Sequence, residues 1–147
     1  MKEYFDKHPE SVPYLDRLER EWLQHGKIII ACDFDDTISP WSLNDEVFCK
    51  RVISILKIAK EVGAYLVIET ACDPSRYSEI RKYCEANQIS VDKINATPID
   101  LPYGKTGIYA NIFINDRAGI NEALNILEFA MYKVRGHIHG PNSSLDW

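Results

Sequence analysis

Short apolar runs rich in β-branched residues recur along the chain, and segments with helical spacing separate them. The first two runs, at 27–32 and 64–68, show no alternation of polar and apolar residues. Strands buried on both faces have this pattern, and they are typical of parallel sheets covered by helices. Two further strands are predicted at 90–96 and 110–114.

The segments between these runs carry apolar residues at the spacing of amphipathic helices. Helices are predicted at about 10–25, 43–62, 73–87 and 117–132. Gly26 and Gly63 are placed to end the first two, and Asp73-Pro74 is a typical helix start. Alternating strands and helices call for right-handed crossovers. We therefore predict an α/β fold, a three-layer, Rossmann-like doubly wound parallel sheet with helices on both faces.

At 147 residues the chain has the length of one domain, 1–147. Within it we expect an N-terminal helical segment at 1–26, a core at 27–132 and a tail at 133–147. The net charge of −5 argues against a surface built for nonspecific nucleic-acid binding. No apolar run reaches the roughly 18 residues that cross a bilayer, and acidic residues occupy the start of the chain, where a signal peptide is apolar. We expect a cytoplasmic protein without a membrane partner and with free cysteines.

Polar residues follow three of the predicted strands. Asp33 ends the first strand, Thr70 follows the second, and Asp116 follows the fourth. Ligands bind at the carboxyl ends of the strands in sheets of this kind. We therefore expect these residues to face one crevice.

Asp33 and Asp35 stand in the segment Cys-Asp-Phe-Asp-Asp-Thr, where a strand gives way to a loop. Crowded carboxylates favour a hard cation, above all Mg²⁺. One carboxylate can attack phosphorus, and the other can protonate the leaving oxygen and then activate water. The alternative is an acidic turn that only caps the next helix.

Three other residues have candidate roles beside simpler alternatives. Thr70 can bind a phosphate oxygen or cap a helix, and Asp116 can hold the metal or cap a helix. Lys105 can neutralise the phosphate or be a solvated loop lysine. A nucleotide-binding P-loop at Gly104-Lys105-Thr106 is excluded, because Ile99 stands where that motif needs glycine and no strand leads directly into the loop.

These residues resemble the four motifs of the haloacid dehalogenase (HAD) superfamily of phosphohydrolases over roughly residues 27–130. Motif one is Ile28-Ile-Ile-Ala-Cys-Asp-Phe-Asp-Asp-Thr37, motif two ends at Thr70, motif three is placed at Lys105, and motif four is Ile114-Asn-Asp-Arg117. The resemblance implies an HAD-like fold and a magnesium-dependent phosphatase that forms an aspartyl-phosphate. It implies that Asp33 is the nucleophile and a metal ligand, and that Asp35 is the acid/base with its backbone carbonyl at the metal. Thr70 and Lys105 would bind the phosphoryl group, and Asp116 the metal.

The chain departs from the family pattern at two positions. Asn115 replaces an acid common in motif four, and Cys72 replaces an arginine common after motif two, a role that Arg76 could take over. Lys82 and Lys93 are weaker candidates for the motif-three lysine.

The intervals between the motifs leave no room for a sizeable cap domain. Uncapped members of the family act on exposed phosphates of large substrates or have the site covered by a neighbouring subunit. The expected partner is therefore a phosphorylated small molecule or an exposed macromolecular phosphate, and a homo-oligomer is one alternative. Trp41 is either a packing residue or a substrate platform. His137 and His139 alternate as in a strand and lack a third ligand, so we interpret them as surface residues.

Two other functions remain open at this point. A receiver-like signalling module also uses paired acids, a threonine and a lysine on a parallel sheet. Its phosphorylated aspartate, however, ends a later strand than the acidic pair, whereas here motif one contains both acids. A non-catalytic binding protein of the same fold is the second alternative, which Asn115 and the missing arginine keep open.

Overall fold

The computed structural model describes residues 1–97 and 109–139. These two ranges contain five α-helices and four strands. In chain order they are α1 (Lys2–Lys7), α2 (Val12–His25), β1 (Ile28–Asp33), α3 (Glu46–Glu61), β2 (Ala64–Glu69), α4 (Tyr77–Ala86), β3 (Lys93–Ile94), β4 (Ile112–Ile114) and α5 (Ile120–His139). Short 3-10 turns at Pro9–Ser11 and Pro74–Arg76 precede α2 and α4.

The four strands form one parallel sheet in the order β3-β2-β1-β4. The chain first moves outward from β1 to β2 and β3, and then returns to the other side of β1 for β4. The strand order therefore reverses between β1 and β4, which makes this the topological switch point of the sheet. The predicted α/β class and the parallel sheet are confirmed.

The main core lies between the helices and one face of the sheet. Ile28, Ile30 and Cys32 of β1 share a single cluster with buried side chains from all five helices. Ile29 and Val67 point to the other face, where they pack with partly buried residues of β2 and of the segment before β4. A second helical layer on that face, which we predicted, is not found within 1–97 and 109–139. The connection from β3 to β4 includes residues 98–108, which lie outside the described residues.

Two glycines end helices as the sequence predicts. Gly26 follows α2 with a φ of 73°, and its N–H donates to the carbonyl of Trp22 at 2.8 Å. Gly63 follows α3 with a φ of 101°. The indole of the buried Trp22 donates to the carbonyl of Val62 at 3.0 Å, so the ends of α2 and α3 are tied together.

The third and fourth strands and the last helix differ from the prediction. The strands cover only two and three residues, because they lie at the two ends of the sheet's strand order and each pairs with one neighbour. The helix α5 continues to His139, seven residues beyond the expected end, because Val134 on this last part is buried in the core. Residues 133–139, which we predicted as part of the tail, therefore belong to α5. Within the described ranges, no helix is long and apolar enough to cross a membrane.

Candidate functional site

The strand register brings three of the predicted site residues to one edge of the sheet. Asp33 is paired with Glu69 at the end of β2, so Thr70 follows directly at the same level. Cys32 is paired with Ile114 at the end of β4, which places the segment 115–116 beside Asp33. Lys105, the fourth predicted residue, lies outside the described residues.

Asp33 and Asp116 face each other across the switch point. Partial burial and the neighbouring Asp116 carboxyl, at hydrogen-bonding range, raise the pKa of Asp33 to about 7. The charge of Asp35 adds to this, whereas the backbone N–H of Phe34 opposes it by donating to the Asp33 carboxylate. Two carboxylates held this close repel each other when both are ionised. A bound cation or a shared proton would relieve that repulsion.

Asp35 has a different neighbour. Its Oδ2 lies 3.6 Å from Nη1 of Arg76, and Nε of the same guanidinium lies 3.5 Å from Glu79. The charge of Asp35 helps to raise the pKa of Arg76, against the lowering effect of burial. Arg76, which we suggested as a replacement for the missing arginine, thus lies beside Asp35.

The third aspartate of the segment shapes the loop. Asp36 has a φ of 60°, and its Oδ1 accepts four backbone N–H groups, from residues 41 to 44, at 2.9 to 3.2 Å. These donors hold its pKa well below the usual range. Thr37 is completely buried in the same turn, and its hydroxyl finds no hydrogen-bond partner within the described structure.

These contacts decide against the simpler interpretation of the acidic segment. Asp36 organises the loop, and the following helix α3 is capped by Asp45, whose carboxylate accepts from Phe48 N–H at 2.9 Å. Neither Asp33 nor Asp35 caps this helix. Both carboxylates are left for interactions at the sheet edge.

Thr70 is held in place by a residue that the sequence did not indicate. The amide of Asn95, just after β3, accepts from Thr70 N–H at 2.8 Å and donates to the Thr70 carbonyl at 2.7 Å. It also donates to the hydroxyl of Tyr77 at 2.8 Å. Thr70 Oγ1 accepts from Cys72 N–H at 3.2 Å, so its own proton remains to be donated. Asn95 stands inside the strand predicted at 90–96, but the observed β3 ends before it and its φ is 52°. The preference of asparagine for the left-handed region was the available signal.

Asn115 and Asp116 have separate tasks. The side chain of Asn115 accepts from Arg117 N–H at 2.9 Å, and its carbonyl accepts from Ala118 N–H at 3.0 Å. Asn115 therefore forms the turn before α5, and the carboxylate of Asp116 is directed to Asp33 instead.

Oxygen donors at this edge fit a hard cation. Asp33 and Asp116 supply two carboxylates at the switch point. Burial and the neighbouring Asp116 both raise the pKa of Asp33, and a bound cation would offset both effects. A group of three or more His, Cys, Asp or Glu side chains placed to hold a metal is not found among residues 1–97 and 109–139. Because the side chain of Asp35 contacts Arg76, the side-chain ligands that the described residues offer to a metal are the carboxylates of Asp33 and Asp116.

Two further predicted features have clear positions. Trp41 is 71% exposed and lies against the guanidinium of Arg76, 5.9 Å from ring centroid to Cζ, so it is not a packing residue of the core. The strand-like interpretation of the segment around His137 is wrong, because this segment belongs to α5. Nε2 of His137 lies 3.5 Å from Glu19 of α2.

A prominent cavity lies away from the acids. It measures about 360 Å³ and is bounded by α2, β4 and the start of α5. Its lining includes Tyr14, Arg17, Phe113 and Glu122 but none of the residues at the carboxyl edge discussed above. The candidate site at the carboxyl edge therefore lies outside this cavity.

Comparison of the chain with protein-family models, with curated proteins and with solved structures finds no match.

Proposed function

We propose that this chain is a magnesium-dependent phosphatase of the HAD type, which hydrolyses phosphate monoesters through an aspartyl-phosphate on Asp33. The observation that carries the proposal is the division of the acids at the switch point. Asp33 faces Asp116, whereas Asp35, two residues further on, is held by Arg76. One carboxylate is thus available as nucleophile at a cation site, and the other as a separate acid and base.

In the first step an oxygen of Asp33 attacks phosphorus, and the bond from phosphorus to the ester oxygen breaks. Asp35 gives its proton to the leaving oxygen. In the second step Asp35 takes a proton from water, the water oxygen attacks phosphorus, and the bond from phosphorus to Asp33 breaks. Inorganic phosphate is released and both carboxyl groups return to their first state.

Asp33 and Asp116, with the backbone carbonyl of Asp35, would hold Mg²⁺. The ion, when bound, would neutralise the phosphate charge and keep Asp33 ionised near neutral pH. This role gives a physical reason for the two crowded carboxylates, which otherwise repel each other.

Thr70 and Lys105 would bind the phosphoryl oxygens. The clamp of Asn95 fixes the backbone of Thr70 on both sides, so its hydroxyl is presented from a defined position. The substrate would be a phosphorylated small molecule or an exposed macromolecular phosphate, met in the cytoplasm by a single chain or a homo-oligomer.

The test is phosphate release from p-nitrophenyl phosphate, with Mg²⁺ and with a chelator. We expect turnover only with Mg²⁺, and a loss of at least about a thousandfold in Asp33→Asn, because the nucleophile is removed. Asp45→Asn is the matched control, since it removes one negative charge from the same loop and asparagine still caps α3. Full activity of Asp33→Asn would exclude the mechanism. Binding of beryllofluoride with no turnover would favour the receiver-like alternative.

A further inference from the structure

We infer that Trp41 and Arg76 form a stacking site for the base of a nucleoside monophosphate, so that the substrate of this site carries a nucleobase one sugar away from its phosphate. This inference rests on the proposed phosphatase function and names its substrate class.

Trp41 is exposed on a loop with a fixed conformation. The residue is 71% exposed, although tryptophan is highly buried on average. The backbone around it is fixed, because Asp36 accepts the N–H groups of residues 41 to 44. An exposed aromatic ring on a hydrogen-bonded loop offers a stacking face that requires no prior ordering of the backbone.

Arg76 links this aromatic surface to the acid that faces the leaving group. Its Cζ lies 5.9 Å from the centroid of the Trp41 ring, and its Nη1 lies 3.6 Å from Oδ2 of Asp35. In the proposed reaction Asp35 protonates the leaving oxygen. Whatever is attached to that oxygen therefore starts at Asp35, and the path along the guanidinium leads to Trp41.

The separation between Asp35 and Trp41 favours a substrate whose ring is not bonded directly to the ester oxygen. In an aryl phosphate the ring is bonded directly to the ester oxygen, so it would lie beside Asp35. In a nucleoside monophosphate the sugar separates the base from the ester oxygen, and in our proposal this sugar lies beside Arg76 with the base on the indole. Stacking of a base on an aromatic side chain tolerates any base, because every base has a π-face. The net charge of −5 favours a mononucleotide over a long polyanion.

The test compares adenosine 5′-monophosphate with ribose 5-phosphate, which has the same sugar and phosphate without the base. Both are titrated calorimetrically, with Mg²⁺, into Asp33→Asn, which prevents turnover. We expect the nucleotide to bind about tenfold more tightly, as stacking of one base would give. Adding Trp41→Ala should abolish this preference and Trp41→Phe should keep most of it. Leu43→Ala, which removes another exposed apolar side chain from the same loop, should leave it unchanged.

Equal affinity for the two compounds, no binding of the nucleotide, or a preference that survives Trp41→Ala would overturn the inference. A phenyl phosphate titration separates the ring types, because tighter binding of this compound than of the nucleotide would also overturn it. Hydrolysis of p-nitrophenyl phosphate by the wild type reports on the proposed function separately. Turnover without a preference for the nucleotide would support the proposed phosphatase function and contradict only the inferred substrate class.

Discussion

Three aspartates within four positions have different surroundings, and the backbone decides which is which. Asp33 is the last residue of β1 and meets Asp116, whereas Asp35 meets Arg76 beyond the strand end. Asp36 has a positive φ, and its carboxylate accepts hydrogen bonds from backbone N–H groups of its own loop. Three residues of one type thus have three roles: Asp33 lies beside another acid, Asp35 is paired with an arginine, and Asp36 holds the loop in its conformation.

The crowding of Asp33 predicts a measurable pH dependence of stability. Its pKa is about 7 in the folded protein and about 4 in the unfolded chain, so the folded state binds the additional proton between these values. Stability of the metal-free wild type should therefore fall as the pH rises from about 4 to about 7. The Asp33→Asn variant has no ionisable group at this position, so its stability should not show this fall. We expect its Tm to exceed that of the wild type at pH 8 by about 2–4 °C, or about 1 kcal/mol after allowance for solvent screening.

The measurement is thermal unfolding in chelator at pH 5 and pH 8. The advantage of Asp33→Asn should be largest at pH 8 and shrink at pH 5. Asp45→Asn, an exposed cap without a carboxylate neighbour at hydrogen-bonding range in the contacts described, should show no such gain. A lower Tm of Asp33→Asn at pH 8 would contradict the proposed repulsion.

At the scale of elements, two glycines hold the ends of α2 and α3 together. A Cβ on Gly63 would lie 2.7 Å from the carbonyl oxygen of Gly26, whereas a Cβ on Gly26 would meet nothing within 4 Å. Both residues have a positive φ. We expect Gly26→Ala to lower the free energy of unfolding by about 1 kcal/mol, because its positive φ is strained for alanine. Gly63→Ala should lower it by about 2–3 kcal/mol, because its Cβ also clashes with the carbonyl oxygen of Gly26. Urea unfolding measures both, and equal costs would show that the close approach is absent.

The elements that the sequence predicted well are those with a strong local signal. The strands β1 and β2 are continuous apolar runs, and Gly26 and Asp73 mark helix boundaries by their own conformational preferences. The short strands and the far end of α5 depend on partners elsewhere in the fold. Lys133 and His137, for example, both reach Glu19 of α2, and no local pattern shows this.

At the scale of the whole molecule, strand order creates the candidate site. The sequence predicted that Asp33, Thr70 and Asp116 share an edge, because the carboxyl ends of parallel strands lie together. It did not predict the Asn95 clamp on Thr70, and it offered only a suggestion for Arg76. Both contacts join segments 18 or more residues apart, so they depend on how the turns after β2 and β3 pack.

Mass spectrometry of the Asp35→Asn variant, acid-quenched after brief reaction with p-nitrophenyl phosphate and Mg²⁺, tests directly whether an aspartyl-phosphate forms on Asp33. The nitrophenolate leaves without a proton, so the first step should proceed, whereas the second should stall because no base activates water. We expect one phosphoryl group on the peptide that contains Asp33. Wild-type turnover together with no phosphoryl group on this peptide of the variant, or with one on a different residue, would contradict it.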